Sequence, residues 1–446
     1  MPRHEQKLLA VLGILILIRA SLLAWVIVAN PGVCMFPDSP SYEEPARAML
    51  QYGRFAQFPR EPLVPETLRT PGYPLLIAAV YGVVGESRQA VLFVQALLDA
   101  ILIVILFFLG RRLWSANAGL IAAVVYALNL TAFDQARYLL SDSPFVFLMT
   151  VVLLLGCKLA LPAKRPVLMA LAFGSIAAFA CLVRPILYYW AAILVAWLVF
   201  LAAGKTIPWR AVAAGVLPWI LIVGGWQVRN RLATGDATFS QIQNVNIYLY
   251  RAADILSRKT RQPFAVVQEQ LRSKLNAETA GLSQTQIYRE MKKRGLAVIK
   301  AEPKYLLRSQ VAGALKLIVG RASLSVYSNS GGRLEYTQGV LSDLFRMSPA
   351  AYWRKWLRPH TLLCIMLFLE YALLLIVYAC LIVSAAIVAR RRDMLPIHLF
   401  LLVTLVYFVA VSAGPEAYSR LRLPIEPILA LYAAFALTHL RRKTAQ

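Results

Sequence analysis

Charge is scarce in this sequence, and acidic charge is the scarcest. Asp, Glu, Lys and Arg make up 15% of its 446 residues, where a soluble domain carries about 25%. Asp and Glu number 22 against 47 Lys and Arg. A soluble globular domain would need more charged surface than this. The 59% apolar content and mean hydropathy of +0.61 point instead to a polytopic membrane protein. Cysteine chemistry is lacking too. Cys34, Cys157, Cys181, Cys364 and Cys380 mostly lie in apolar runs and form no CxxC pair. That argues against a zinc site and against a disulfide framework. There is no internal repeat and no low-complexity tract. No small-residue cleavage site follows the first apolar run, which is also too long for a signal peptide's core, so it is expected to remain as a spanning helix.

The net charge is +25. In a soluble protein this would suggest nucleic acid. Here membrane topology explains part of it, since short cytoplasmic loops collect Lys and Arg; no nucleic-acid partner is expected. Runs of about 20 apolar residues mark spanning helices. They place helix 1 at Leu8–Ala29, helix 2 at Ala90–Leu109, helix 3 at Ala118–Ala132, helix 4 at Ser143–Leu161 and helix 5 at Val167–Val183. Helix 6 follows at Pro185–Ala203, helix 7 at Ala211–Val228, helix 8 at Thr361–Val388, helix 9 at Pro396–Ser412 and helix 10 at Pro424–Leu440. Arg19 interrupts helix 1 and must snorkel or face a protein interior. Tyr73–Val84 is short and bracketed by Pro71, Pro74 and Gly85, so it is expected to lie in the interface.

Charge sets the orientation. With Arg3 and Lys7 cytoplasmic, the ends of helices 2, 4, 6, 8 and 10 are cytoplasmic and carry Arg111-Arg112, Lys164-Arg165, Lys205 with Arg210, Arg390-Arg391-Arg392 and Arg441-Arg442-Lys443. The expected fold class is an all-α membrane protein of about ten spanning helices. A module of helices 1–7 (residues 1–228) contains a first outer loop at 30–87, an outer segment covers 229–360, and helices 8–10 fill 361–446. Within the outer segment, Thr285–Glu302 reads as a helix and Tyr305–Val319 as an amphipathic helix on the bilayer surface.

Three polar groups fall on the expected outer face. Asp38 lies between Pro37 and Pro40 just past helix 1, and Asp142 lies where helix 4 begins. Carboxylates at such places are rarely needed for packing, although Asp142 or Ser141 could simply cap helix 4. Arg69 stands just before the interfacial segment, where guanidinium and free N–H groups would both donate to a phosphate. The third group is Arg184, Trp226, Arg229-Asn230-Arg231, Tyr418, Arg420 and Arg422. The topology rule does not ask for arginines on this face. Beside carboxylates they suggest an anionic ligand arriving from the membrane.

These residues carry a family resemblance. Asp38-x-x-x-Tyr42 through Ala46-Arg47-Ala48-Met49 is similar to the first-loop acidic motif of the GT-C glycosyltransferases that use polyprenyl-phosphate sugars, a group that includes protein O-mannosyltransferases and lipid A aminoarabinose transferases. Arg69-Thr70-Pro71-Gly72-Tyr73-Pro74-Leu75, Leu139-Leu140-Ser141-Asp142-Ser143-Pro144 and Trp226-x-x-Arg229-Asn230 resemble further segments of that family. So do Glu302-Pro303-x-Tyr305-Leu306 and Tyr418-Ser419-Arg420-Leu421-Arg422-Leu423-Pro424.

The resemblance implies an inverting glycosyl transfer on the extracytoplasmic side of the inner (plasma) membrane. Asp38 would accept the proton of an acceptor hydroxyl. Arg69, Arg229 and Arg422, backed by Arg184 and Arg420, would bind the donor phosphate. Tyr42, Tyr73, Tyr418 and Asp142 would orient the sugar, the acceptor or a carboxylate. The implied partners are a polyprenyl-phosphate sugar, an acceptor lipid, glycan or protein, and membrane lipids. No cofactor is expected, and no metal, because the arginines already supply positive charge. Two other readings stay open: a transporter or flippase of lipid-linked sugar, and an O-antigen-ligase type of enzyme with a diphosphate-linked donor.

Overall fold

The computed structural model describes residues 3–329, 343, 346–390 and 394–444. Arg391 and Arg392, expected to help close helix 8, lie outside the described residues, as do most residues from 330 to 345 and the side chains of Arg441, Arg442 and Lys443. The longer helices, in chain order, begin with α1 (Arg3–Ala29), α2 (Pro40–Tyr52), α3 (Gly72–Val84), α4 (Arg88–Leu113), α5 (Ala116–Ala127) and α6 (Leu130–Ala136). They continue with α7 (Asp142–Leu159), α8 (Pro166–Val183), α9 (Ala191–Ala203), α10 (Trp209–Trp219) and α11 (Gly225–Thr234). After a short loop, a helical turn at Ile242–Val245 and a π-helical stretch at Asn246–Ala252 come α12 (Ala253–Thr260), α13 (Phe264–Glu278), α14 (Gln284–Ala301), α15 (Pro303–Val319) and α16 (Ser323–Asn329). The last three are α17 (Thr361–Arg390), α18 (Leu395–Ser412) and α19 (Glu426–Thr444). Among the described residues the only β pairing is an isolated antiparallel bridge, Ala56 to Pro65.

Nine helices among the described residues are long and apolar enough to cross a membrane, and α5 with α6 makes a tenth if that bent pair counts as one span. The expected helix 3 is this bent pair. It turns by 61° after α5, because Asn129 leaves the helix and caps α6 through its side chain, accepting from the Ala132 N–H at 2.8 Å. The expected helix 7 is longer than its apolar run. It extends over Trp209–Thr234 through a π-helical turn at Ile220–Gly224. Gly72–Val84 is too short to span, as expected. Pro303–Val319 is not among the candidate spans. It buries Ser309, Gly313 and Leu317 and exposes Leu307, Val311 and Leu315.

Arg19 faces the protein interior. Its Nε donates to Asp99 of α4 at 2.6 Å, and its Nη1 donates to the Ala127 carbonyl at 2.7 Å. That carbonyl ends α5 at the bend, where the helix can no longer supply a partner. The one cation inside the first apolar run therefore stitches α1 to α4 and closes the break between α5 and α6.

A glycine sets the position of the first outer loop. A Cβ on Gly72 would meet the Leu182 carbonyl carbon and the Val183 nitrogen at 2.7 Å. Only glycine lets α3 start directly against the C-terminal end of α8. The residues before Gly72 are thereby held beside the residues after Val183, which puts Arg69 and Arg184 in one neighbourhood.

Candidate active site

Asp38 sits in a turn that its own neighbours fix. The Phe36 N–H donates to Ser39 Oγ at 2.9 Å, and Ser41 Oγ donates to the Asp38 carbonyl at 2.6 Å. Pro40 then starts α2. The loop before it is tied down where the Leu139 N–H donates to the Cys34 carbonyl at 3.0 Å. This leaves the Asp38 carboxylate 40% exposed, while the arginines around it are largely buried, Arg69 at 13% and Arg420 at 7%. Asp38 is the acid in this cluster that an incoming molecule can reach.

Two distant parts of the chain converge on it. Arg69 Nη2 donates to Asp38 Oδ1 at 3.0 Å, and Arg420 Nη1 lies 3.5 Å from Oδ2. Arg69 is steered by α2. Its Nε donates to Ser41 Oγ at 2.9 Å, its Nη1 donates to the Tyr42 hydroxyl at 3.1 Å, and its guanidinium carbon stands 4.5 Å from the Tyr42 ring centre. Arg420 packs over the Phe36 ring at 5.0 Å and donates to the Tyr418 hydroxyl at 3.3 Å.

Behind these lies Asp142, fully buried at the start of α7. Arg184 donates to its Oδ1, and Arg420 donates to its Oδ2 from Nε at 3.0 Å. The N-terminal end of a helix favours a carboxylate, but neither Asp142 nor Ser141 caps α7. Ser141 makes no side-chain cap and donates its hydroxyl to the Tyr42 hydroxyl at 3.1 Å. Asp142 is a joint between two arginines, out of reach of solvent.

Direct ion pairs in this cluster join three guanidinium groups to two carboxylates, and the buried Glu66 carboxylate stands behind Arg69. Tyr42 feels these cations. Burial pushes its phenol up, but Arg69, Arg184 and Arg420 together hold it below the ordinary tyrosine value. Burial, with Arg420 next to it, presses Arg184 below the ordinary arginine value. Three guanidinium groups beside a reachable carboxylate suit an anion with a neutral hydroxyl next to it.

The structure gathers Asp38, Tyr42, Arg69, Asp142, Arg184, Tyr418 and Arg420. Tyr73 lies under this group. Its ring meets Tyr42 edge to face at 5.2 Å, and its hydroxyl donates to Gln95 at 2.5 Å. Arg229 and Arg422 are engaged elsewhere. Among the described residues neither shares a hydrogen bond or ion pair with Asp38, Asp142, Arg69, Arg184 or Arg420. Arg229 donates to the carbonyls of Glu66 and Phe55, both at 2.7 Å. Arg422 donates to the carbonyls of Leu317, Ile318 and Gly320 and pairs with Glu426 at 2.6 Å. Asp134 belongs to a separate buried network with Arg137 and Ser325 that ties α6 to α16.

Sequence reasoning missed Ser41, Phe36 and Glu66, and read Ser141 only as a possible helix cap. Glu66 is buried, and its carboxylate accepts the N–H groups of Leu68 and Arg69. A Glu three residues before Arg69 in a proline-rich loop was the available signal. Among the described residues no three His, Cys, Asp or Glu side chains gather as a metal site.

Among the described residues this is an all-helical membrane fold with its cluster of opposite charges at one end of the helices. Residues 68–226 match the family model described as dolichyl-phosphate-mannose-protein mannosyltransferase. The matched stretch contains Arg69, Asp142 and Arg184 and leaves out Asp38 and Arg420. No protein among the curated sequences matches the chain. Among solved structures, the Archaeoglobus fulgidus oligosaccharyltransferase tethered with an acceptor peptide superposes with a TM-score of 0.51 at 16% identity, over 97% of this chain and 50% of that one. The same enzyme in the apo form gives a TM-score of 0.52 at 15% identity, over 96% and 50%. ArnT from Cupriavidus metallidurans in the apo state gives 0.41 at 14% identity, over 96% and 78%. The chain thus shares its fold with the membrane part it matches in the archaeal oligosaccharyltransferase and spans about half the length of that enzyme.

Proposed function

We propose that the chain is an integral-membrane inverting glycosyltransferase of GT-C type, moving a sugar from a polyprenyl-phosphate donor to an acceptor hydroxyl at the extracytoplasmic surface. The observation that carries this reading is the reachable Asp38 carboxylate held between Arg69 and Arg420. The acceptor oxygen attacks the anomeric carbon while Asp38 takes its proton. The bond from that carbon to the phosphate oxygen breaks, and polyprenyl phosphate leaves.

Charge moves in this step. The donor is a phosphodiester with one negative charge, and the departing monoester has one more. Asp38 becomes neutral as it accepts the proton. Arg69 and Arg420, paired with Asp38 beforehand, are placed to follow the charge onto the phosphate. Removing one preorganised donor aimed at developing charge typically costs about 2.7–4 kcal/mol. Both oxygens of Asp142 are taken by Arg184 and Arg420, so this carboxylate is not offered to a divalent ion. We propose that the arginines neutralise the leaving group without a metal. The match to a mannosyltransferase family model supports a lipid-monophosphate donor.

The test uses the full chain in liposomes with sugars on polyprenyl monophosphate or diphosphate. Transfer from the monophosphate donor, inhibition by free polyprenyl monophosphate and an unchanged rate after chelation are expected. Transfer from the diphosphate donor alone, or movement of lipid-linked sugar across the bilayer without transfer, would overturn the reading.

A further inference from the structure

Arg229 and Arg422 have the residue type of phosphate ligands, yet both donate to backbone carbonyls, and Arg422 is also paired with Glu426. We propose that they are positioning residues, each fixing the segment that carries one of the arginines facing Asp38. This inference rests on the proposed transferase reading.

Arg422 lies in the short helical turn Ser419–Arg422, two residues beyond Arg420. Its Nη1 donates to the carbonyls of Leu317 at 3.0 Å, Ile318 at 3.0 Å and Gly320 at 2.7 Å. These carbonyls end α15, where the helix leaves them without partners. The two segments meet closely. A Cβ on Gly320 would stand 2.6 Å from the Ser419 nitrogen, and Ser419 Oγ donates to the Arg321 carbonyl at 3.2 Å. Glu426 holds Arg422 from the other side. Arg420 is thus projected from a turn bolted to the end of α15.

Arg229 does the same for Arg69. It lies beside the Trp226 and Phe55 rings, 4.8 and 5.5 Å from their centres, and donates to the Phe55 and Glu66 carbonyls. Just beyond it in sequence, Ser240 Oγ donates to the Leu68 carbonyl at 2.6 Å and the Gln241 N–H to the Thr67 carbonyl at 2.9 Å. The Glu66 carboxylate then takes the Leu68 and Arg69 N–H groups. Every residue from Glu66 to Arg69 is pinned, and Arg229 holds the first of them. A planar fork can bind several carbonyls at once, which a lysine ammonium on a flexible stem does not reproduce. Misplacing a catalytic group by about 1 Å can cost about a hundredfold.

Double-mutant cycles separate positioning from direct contact. The probe is the affinity of the full chain in nanodiscs for polyprenyl monophosphate. Arg422→Lys is expected to weaken binding about tenfold when Arg420 is present and by less than about twofold in the Arg420→Gln background. Arg229→Lys should show the same dependence on Arg69, tested with Arg69→Gln. The crossed pairs, Arg422 with Arg69 and Arg229 with Arg420, should multiply. Unfolding midpoints of the lysine variants check that the losses are local. Multiplying effects in the matched pairs would overturn the inference, since independent phosphate contacts or general destabilisation would give that result. A wild-type chain that binds no polyprenyl monophosphate would instead overturn the transferase reading itself.

Discussion

Asp38→Asn is expected to lower glycosyl transfer by about 10²–10⁴-fold, the usual contribution of a positioned proton acceptor. The substitution keeps the size and shape of the side chain. An amide oxygen can still accept from Arg69, so the turn held by Ser39 and Ser41 should survive. What is lost is a site for the acceptor's proton. Donor binding should change far less than turnover, because Arg69, Arg184 and Arg420 remain. The measurement is turnover at saturating donor beside affinity for polyprenyl monophosphate. A fall in both by the same factor would mean that Asp38 serves binding only.

Asp142→Ala is expected to unfold the site. The variant leaves Arg184 and Arg420 buried without the carboxylate they share. Breaking a buried ion pair by removing one partner costs about 3–5 kcal/mol, because a charge is left unpaired in a poor solvent for it. The loss should show as a lower thermal unfolding midpoint in detergent and as turnover reduced beyond what the unfolded fraction explains. Arg420 would no longer be aimed at Asp38. Unchanged stability and turnover would mean that the guanidinium groups find other partners, and that Asp142 does not hold the cluster together.

Much of this arrangement was legible in the sequence. Spanning helices follow from apolar run length, so the inventory needed little revision. A carboxylate and arginines stranded in an apolar chain are conspicuous, and Asp38, Arg69 and Arg420 do meet. Other features depend on contacts that composition does not record. Nothing near Arg19 in sequence names Asp99, which lies a helix away. Hydropathy is blind to the turn after α5, although Asn129 is a cap residue in plain view. Arg229 and Arg422 show the same limit from the other side. A guanidinium satisfies carbonyls at a helix end as readily as phosphate oxygens, and residue type alone does not tell the two uses apart.

The most direct measurement is a cryo-EM structure of the full chain with polyprenyl monophosphate in a lipid nanodisc. The phosphate is expected within hydrogen-bond distance of Arg69 and Arg420, next to the Asp38 carboxylate and with Arg184 behind. A phosphate seated away from these arginines, with Asp38 still paired to both and facing open solvent, would contradict the proposed transfer chemistry.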